Sequence, residues 1–251
     1  METVICKTIK SIPRDQWEAC RSSKAGGDPF LSYDFFFLLE SSNSVGPNTG
    51  WIPFYITFKE KNIVVGIIVS FLKTHSQGEY VFDHSWADAY QRSGANYYPK
   101  LQVAVPFTPV SGERILVRPE NENQVDEMIS STKRLVKENN ISSLHVTFCN
   151  DSFVGVARKN SLLVREGIQY HWFNRNYRSF DDFLGSLTYR KRKNIIKERK
   201  QARNFGGDIK SLTGTQLTEL ELESFWHFYQ NTGQRKWGYP YLTKDFFLSL
   251  N

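Results

Sequence analysis

Residues 51–73 read WIPFYITFKEKNIVVGIIVSFLK and contain two apolar segments rich in β-branched and aromatic side chains. Residues 51–58 and 63–73 have the composition of strands, and the polar residues KEKN at 59–62 separate them. Two such segments joined by a short polar turn predict a β-hairpin. A third strand is predicted at 80–83, so the sheet is expected to begin as a three-strand meander.

Helical and extended patterns surround this hairpin. Helices are predicted at 12–21 and at 29–40, where Pro29 suits a first helical turn. Residues 123–139 carry apolar side chains at helical spacing and predict an amphipathic helix. The other predicted elements are a partial helix at 89–103, a strand at 144–149, a helix at 152–159 and a strand at 169–173. This order predicts an α/β (α+β) domain over residues 1–173, with a mixed sheet flanked by helices.

A second unit is predicted to begin at residue 174. Ser179 is a suitable N-cap, and a long helix is expected to follow it as far as the glycines at 206 and 207. A strand at 208–212, a helix at 215–230 and a last helix capped by Thr243 complete this part. Because only one strand is predicted, residues 174–251 are expected to form an incomplete domain.

The composition indicates a folded protein with no membrane or secretory segment. Of its 251 residues, 40% are hydrophobic and 15% aromatic. The longest apolar run, at 63–72, is far shorter than the roughly 20 residues of a membrane helix. The N-terminal residues contain no apolar signal core. A cytoplasmic location is therefore expected.

The three cysteines argue against two kinds of site. Cys6, Cys20 and Cys149 are odd in number, far apart and form no CxxC motif. This pattern predicts neither a structural zinc site nor a disulfide framework. Asp83, His84 and Asp88 together are weak evidence for a metal, and a hydrogen-bond network is the better interpretation. No metal is therefore expected.

The positive charge is concentrated in one segment. Residues 158–203 contain 13 Lys or Arg and 4 Asp or Glu, a net charge of +9, whereas the rest of the chain has a net charge of −3. An anionic partner is expected to bind in this segment.

Residues 80–114 are unusually rich in aromatic and polar side chains. Pro106 and Pro109 fix the backbone of the VPFTPV stretch as a rigid bend. Aromatic side chains with polar tips suit a cleft that holds a polar ligand. An edge loop whose aromatic side chains cap the core is an equally good interpretation. The candidate site residues are Asp83, His84, Trp86, Asp88, Tyr97, Tyr98, Lys100, Phe107 and Thr108.

Two basic segments are further candidates for ligand binding. In the predicted long helix, Glu198 is the only acidic residue placed to compensate the cations at i,i+4 spacing. Anion binding is therefore favoured over a solvated charged face. The loop at 231–243 combines basic and aromatic residues and suits stacking or a phosphate, or else it connects two helices. The residues concerned are Arg190, Lys191, Arg192 and Lys193 in the helix and Arg235, Lys236 and Trp237 in the loop.

Several long motifs resemble the bacterial Fem-like proteins, a family described as GNAT-type (acyl-CoA N-acyltransferase) enzymes and linked to peptidoglycan biosynthesis or recognition. The similarity extends in unbroken order from about residue 29 to the last residues. The motifs are VFDHSWADAYQRSGANYYPKLQVAVPFTPVSGERIL at 81–116, LHVTF at 144–148, REGIQYHWFN at 165–174, SFDDFLGSLTYRKRKNIIKERK at 179–200 and FYQNTGQRKWGYPYLTKDFF at 228–247.

This resemblance implies two GNAT-like domains in tandem, of which the second would be incomplete here, as in a fragment or a truncated gene product. It also implies acyl or aminoacyl transfer to an amine. A nucleotide-linked cell-wall precursor is a candidate acceptor, and acyl-CoA and aminoacyl-tRNA are candidate donors. The GNAT pyrophosphate loop, R/QxxGxG/A, is absent after the predicted third strand, where HSWADAY stands instead.

Acyl transfer to an amine needs a proton acceptor and donors for the carbonyl oxyanion. Asp83 and Asp88 are the candidate bases, with His84 and Tyr98 as helpers. Lys100 and the cations at 190–193 are candidates for binding a phosphate. Two alternatives remain open, which are a non-enzymatic module that binds nucleic acid or another anion, and an inactive fragment. No GxSxG, HExxH, Walker A or GxGxxG motif occurs, so serine hydrolase, zinc hydrolase and nucleotide hydrolase activities are unsupported.

Overall fold

The computed structural model describes residues 1–21, 27–236 and 238–250. Its strands are β1 Glu2–Cys6, β2 Trp51–Pro53, β3 Tyr55–Glu60, β4 Ile63–Ile68, β5 Ser70–Lys73, β6 Lys100–Val103, β7 Ile115–Val117 and β8 Leu144–Val146. Its α-helices are α1 Arg14–Arg21, α2 Tyr33–Ser41, α3 His84–Arg92, α4 Val125–Glu138, α5 Asp151–Lys159, α6 Phe180–Gly185, α7 Tyr189–Arg203, α8 Glu219–Arg235 and α9 Lys244–Leu248. The expected mixed α/β fold is confirmed.

The strands form two four-stranded sheets, with the orders β1-β3-β4-β7 and β2-β5-β6-β8. All pairs are antiparallel except β6 with β8, which is parallel. The predicted hairpin is present, but each of its strands passes from one sheet to the other. Only Phe54 separates β2 from β3, and only Val69 separates β4 from β5. The Phe54 N–H donates to the Ser70 carbonyl oxygen at 3.0 Å, so the two strands remain hydrogen-bonded across the break.

The strands β6 and β7 pair with successive parts of the same hairpin strand. Leu101 in β6 lies opposite Leu72, and Ile115 in β7 lies opposite Ile68. Between β6 and β7 the chain leaves the sheets over residues 104–114, which we call the excursion. The strand β8 follows β6 and has no register with β7. One edge of β7 therefore has no partner strand among the described residues.

Helices cover both faces of the sheets. On one side Trp17 of α1 is fully buried and packs against Phe36 of α2 and Tyr55 of β3. On the other side α4 buries Met128 and Leu135, as its predicted amphipathic pattern requires. Gly66 in β4 permits the close approach of α4, because a Cβ at this position would lie 2.5 Å from the Met128 Cε.

Three predicted strands are wrong. Residues 80–83 are not extended, because Tyr80 adopts a positive φ of 56°. Residues 169–173 and 208–212 have no strand partner among the described residues. The predicted long helix after Ser179 is also interrupted. It divides into α6 and α7 because Thr188 has an extended backbone and starts a new helix.

The chain divides into two compact units, residues 1–164 with 217–251, and residues 165–216. Helices α8 and α9, which the sequence assigned to the second domain, therefore belong to the same unit as the sheets. Phe246 of α9 is buried in the core and contacts Phe35 of α2. That residues 174–251 begin a second GNAT-like domain stays a prediction.

We expect Thr243→Ala to lower the free energy of unfolding by about 1–2 kcal/mol. Thr243 Oγ1 accepts from the Phe246 N–H, which caps α9, and donates to the Ser42 carbonyl oxygen at 2.8 Å. Thr188→Ala is the matched control, because the Thr188 side chain makes no capping hydrogen bond. Urea unfolding measures both variants, and equal losses would show that the contacts of Thr243 do not fix α9.

Candidate functional site

A buried ionic cluster lies at the end of the second sheet. Lys100 in β6 is fully buried, and its Nζ donates to Asp83 Oδ2 at 2.5 Å, to Glu79 Oε2 at 2.7 Å and to Ser76 Oγ at 2.9 Å. Both carboxylates are also buried. A charge so far from water persists only when it is paired and hydrogen-bonded, and these contacts supply both conditions.

Two tyrosines complete the cluster. Tyr97 OH donates to Asp83 Oδ2 at 2.7 Å, and Tyr98 OH lies 2.8 Å from Ser76 Oγ. Burial tends to raise the pKa of Asp83, but hydrogen bonds from Lys100, Ser76 and Tyr97 outweigh it and lower that pKa to about 2. Burial and the Asp83 carboxylate raise the pKa of Tyr97. Asp83 is therefore a fixed negative charge near neutral pH and a weak proton acceptor.

A second buried lysine lies beside this cluster. Lys73 in β5 is directly opposite Lys100 in the sheet register and is fully buried. Its Nζ lies 3.9 Å from the centre of the Trp51 ring and donates to the Gln77 carbonyl oxygen at 3.2 Å. Burial lowers the pKa of Lys73 to about 7, although Glu79 opposes the shift. Lys73 therefore changes its charge close to neutral pH.

The cluster retains unused hydrogen-bonding capacity. Among the described residues, Glu79 Oε1 and Asp83 Oδ1 are buried and have no hydrogen-bond partner. Burial raises the pKa of Glu79, which is the expected effect of an incompletely satisfied carboxylate. This geometry suits a fixed arrangement of charges better than proton transfer by Asp83.

The structure brings together four of the residues predicted for one concave site, which are Asp83, Tyr97, Tyr98 and Lys100. His84 and Asp88 are exposed on α3, and Trp86 on the same helix is 49% exposed. These three follow Asp83 onto a surface helix, whereas Asp83 itself precedes the helix and turns inward. The predicted catalytic roles of Asp83, His84, Asp88 and Tyr98 stay predictions.

Phe107 and Thr108, also predicted to bind substrate, lie half-buried in the excursion. The Phe107 ring stacks on Tyr241, with 5.1 Å between the ring centres and 3° between the ring planes. It also contacts Trp51, whose ring centre is 5.3 Å away. Phe107 thus fastens the excursion to the segment before α9, so packing accounts for its position.

The predicted anion-binding residues lie at the surface of their elements. In α7, Arg190, Lys191 and Lys193 are exposed, and Arg192 is half-buried. In the other compact unit, α8 ends at Arg235, and Lys236 follows it; both are exposed. Trp237 lies outside the described residues. Their role in substrate binding stays a prediction.

A cavity of about 250 Å³, which the sequence did not predict, lies beside β7. Most of its wall is apolar. Its lining residues are Cys20, Arg21, Glu113, Ile115, Leu116, Val117, Glu122, Val125, Ser152, Phe153 and Val156. Three of them form β7, which is an edge strand because β8 does not follow it. The free edge of a strand can bind an extended chain through its backbone groups.

Arg114 fixes the backbone beside this cavity. It is 2% exposed and forms no ion pair with a described carboxylate. Its Nη2 donates to the Val110 carbonyl oxygen at 2.6 Å, its Nη1 to the Glu113 carbonyl oxygen at 2.9 Å and its Nε to the Thr147 carbonyl oxygen at 2.7 Å. Burial lowers the pKa of Arg114 to about 10, so it remains a cation at neutral pH. One side chain thereby ties the excursion to the end of β8.

The described part of the chain contains neither a metal-binding cluster nor a membrane-spanning helix. No three His, Cys, Asp or Glu side chains there are grouped so that they could hold a metal ion. Within those same ranges, no helix combines the length and the apolar character needed to cross a membrane.

We expect Lys73→Met to raise the free energy of unfolding at pH 7 and to remove part of its pH dependence. Because the pKa of Lys73 is lowered in the folded state, the unfolded chain binds more protons above pH 7, and the stability of the wild type should rise with pH. The rise attributable to Lys73 is roughly 1–2 kcal/mol between pH 7 and 8.5. Urea unfolding at both pH values measures the difference between the two proteins, and parallel pH profiles would contradict the lowered pKa.

Comparison with known proteins relates these features to a family. Among curated proteins, none matches the sequence. A solved structure with some similarity is the apo form of an aminoglycoside antibiotic 6'-N-acetyltransferase, AAC(6')-IG, from Acinetobacter haemolyticus. It is 14% identical, the match covers 70% of this chain and 99% of that chain, and the TM-score of 0.38 is too low to support a conclusion here. A family model described by peptidoglycan biosynthesis or recognition matches residues 8–251, and the chain therefore belongs to the FemAB-like family.

Proposed function

We propose that this protein is an N-acyltransferase of GNAT type, which transfers an acyl or aminoacyl group to an amine in the cavity beside β7. The observation that carries the proposal is the cavity itself, which is enclosed largely by apolar side chains along an edge strand. Membership of a family described by peptidoglycan biosynthesis or recognition favours an amine on a cell-wall precursor as the acceptor.

The chemistry of acyl transfer suits such a cavity. The amine must attack the acyl carbon as a neutral nucleophile, and water must be kept from the activated acyl group. Apolar walls at Ile115, Val117 and Phe153 exclude water. The edge of β7 offers backbone N–H and C=O groups to an extended arm of a substrate. These residues would bind and shield the reacting groups.

The segment between β7 and α4 does not fit the pyrophosphate of acyl-CoA. A GNAT pyrophosphate loop presents glycine-rich backbone N–H groups at a helix N-terminus. Here the 3₁₀ segment Pro119–Gln124 contains Glu120 and Glu122 and no glycine. Two carboxylates at that position repel a pyrophosphate, so no step is assigned to acyl-CoA at this place.

The buried Lys100 cluster has a supporting role in this proposal. Because the pKa of Asp83 is about 2, this carboxylate keeps its charge over the physiological pH range, and it is paired with Lys100. We assign Asp83 and Tyr98 to fixing the sheet end on which Lys73 and Lys100 lie. The catalytic roles predicted for His84 and Asp88 lie outside this proposal, because both residues are exposed on α3 and neither lines the cavity.

We expect Val156→Trp to lower the rate of acyl transfer about tenfold or more, which corresponds to about 1.4 kcal/mol in the barrier, because an indole ring fills the cavity. Val154→Trp on the same helix is the control, since Val154 does not line the cavity. The assay is mass-spectrometric detection of the acylated product from a UDP-linked muropeptide, with aminoacyl-tRNA or acetyl-CoA as the donor. Equal activity of the two variants would place the reaction elsewhere.

A second candidate function is the binding of an anion by α7. This helix carries eight Lys or Arg residues and one Glu, and none of the eight forms an ion pair with a described residue. Arg192 Nε is buried and without a hydrogen-bond partner in the described part of the chain. Uncompensated like charge on one helix favours an anionic ligand, such as a phosphate of a nucleotide-linked substrate.

We expect an Arg190→Ala/Arg192→Ala double variant to bind such ligands about tenfold more weakly than the wild type. UDP-linked precursor, acetyl-CoA and tRNA are titrated at several salt concentrations, with Lys133→Ala/Lys137→Ala on α4 as the control. A compact phosphate gives a moderate salt dependence, whereas a polyanion gives a log–log slope near −0.9 per neutralised phosphate. Unchanged affinities in the α7 variant would show that these cations are a solvated surface and do not bind the ligands.

A further inference from the structure

The charged residues that line the cavity beside β7 are Arg21, Glu113 and Glu122. Arg21, one of its lining residues, is neutralised, because its Nε donates to Glu18 Oε2 at 2.6 Å and its Nη1 donates to the Asp28 carbonyl oxygen at 3.1 Å. Glu113 at the other end of the lining forms no ion pair with a described residue. A carboxylate next to an apolar wall attracts a cation more strongly than it would in water.

The orientation of the Glu113 carboxylate is fixed by its neighbour Asn150. This residue is the N-cap of α5, and its Oδ1 accepts from the Phe153 N–H at 3.2 Å and from Ser152 Oγ at 2.9 Å. Because these bonds use the amide oxygen, the amide nitrogen Nδ2 points to Glu113, where it donates to Oε1 at 2.6 Å. The second carboxylate oxygen, Oε2, remains for a ligand.

The adjacent cation Arg114 attracts the Glu113 carboxylate electrostatically but forms no hydrogen bond with it. The Arg114 guanidinium donates to three backbone carbonyl oxygens, one of which is the carbonyl of Glu113 itself. These bonds leave the Glu113 carboxylate to its contact with Asn150 and to the cavity. Beyond Glu113 the wall consists of Ile115, Val117 and Val156, which suits the aliphatic part of a ligand.

We propose that Glu113 binds the primary ammonium group of an amine, with the aliphatic chain of that amine in the apolar part of the cavity. This inference rests on the proposed function in naming the amine as the acyl acceptor. The carboxylate would hold the ammonium ion and receive one proton from it. The neutral amine then forms the N–C bond to the acyl carbon, the bond between that carbon and the leaving group of the donor breaks, and the leaving group departs with the second proton of the nitrogen.

The test measures binding of n-butylammonium and, as its neutral analogue, n-butanol to the purified protein by NMR titration. We expect wild type to bind the ammonium ion more tightly than the alcohol, and Glu113→Gln to weaken ammonium binding about tenfold while leaving alcohol binding unchanged. Glu138→Gln at the end of α4, which does not line the cavity, is the control.

A conservative variant distinguishes ligand binding from a structural role. Glu113→Asp keeps the carboxylate, whereas Glu113→Gln keeps the length of the side chain without its charge. We expect Glu113→Asp to retain the preference for n-butylammonium over n-butanol that Glu113→Gln loses, which a purely structural role of Glu113 would not produce. A wild type that binds both probes equally, or a Glu113→Gln variant that binds ammonium like wild type, would overturn the proposal.

The outcome separates this inference from the proposed function. Glu113-dependent ammonium binding without any acyl transfer contradicts the transferase activity but leaves the ammonium site in place. Transfer that Val156→Trp abolishes while Glu113→Gln binds ammonium normally supports the transferase and removes Glu113 from the acceptor site.

Discussion

The shape of the proposed site depends on the hydrogen bonds of one buried cation, Arg114. The strands β6 and β7 pair with the same strand of the hairpin, and the excursion separates them. The chain must therefore return from the excursion to the sheet at a defined place. Arg114 provides this by donating to carbonyl oxygens at Val110, Glu113 and Thr147. Because a buried guanidinium without these acceptors would be very costly, the excursion and the end of β8 are held together. The opening beside β7 follows from that attachment.

The Lys100 cluster imposes a second constraint, at the far end of the sheets. Two carboxylates from the segment after β5 meet one ammonium group from β6, so Glu79 and Asp83 must turn inward while the rest of α3 remains at the surface. Removing Lys100 would leave two buried carboxylates unpaired. This requirement explains why polar residues within six positions of each other point in different directions.

The sequence predicted elements well where one local signal dominated. The apolar periodicity of α4, the polar turn of the hairpin and the caps at Ser179 and Thr243 all correspond to observed features. Strands at 169–173 and 208–212 failed because composition alone supplies no partner strand. The contacts among Asp83, Tyr97, Tyr98 and Lys100 were foreseen from their density in the sequence. Glu113 and the cavity were not predicted. Both depend on the position of β7 and β8 in different sheets, and no local sequence pattern specifies that separation.

These constraints give the protein a largely apolar cavity in one compact unit and a positively charged helix, α7, in another. The proposed amine suits the cavity, and the proposed phosphate suits the helix. The chain belongs to a family described by peptidoglycan biosynthesis or recognition. The absence of glycine before α4 distinguishes the cavity from a site for pyrophosphate.

The most direct measurement is methyl NMR of the protein labelled at Ile, Leu and Val during titration with a UDP-linked muropeptide that carries a free amine. The account predicts that the largest chemical-shift changes occur at the methyl groups of Ile115, Val117, Val125 and Val156, which line the cavity. Changes confined to Leu72, Leu101 and Leu144, on the strands beside the Lys100 cluster, with none at the cavity, would contradict it.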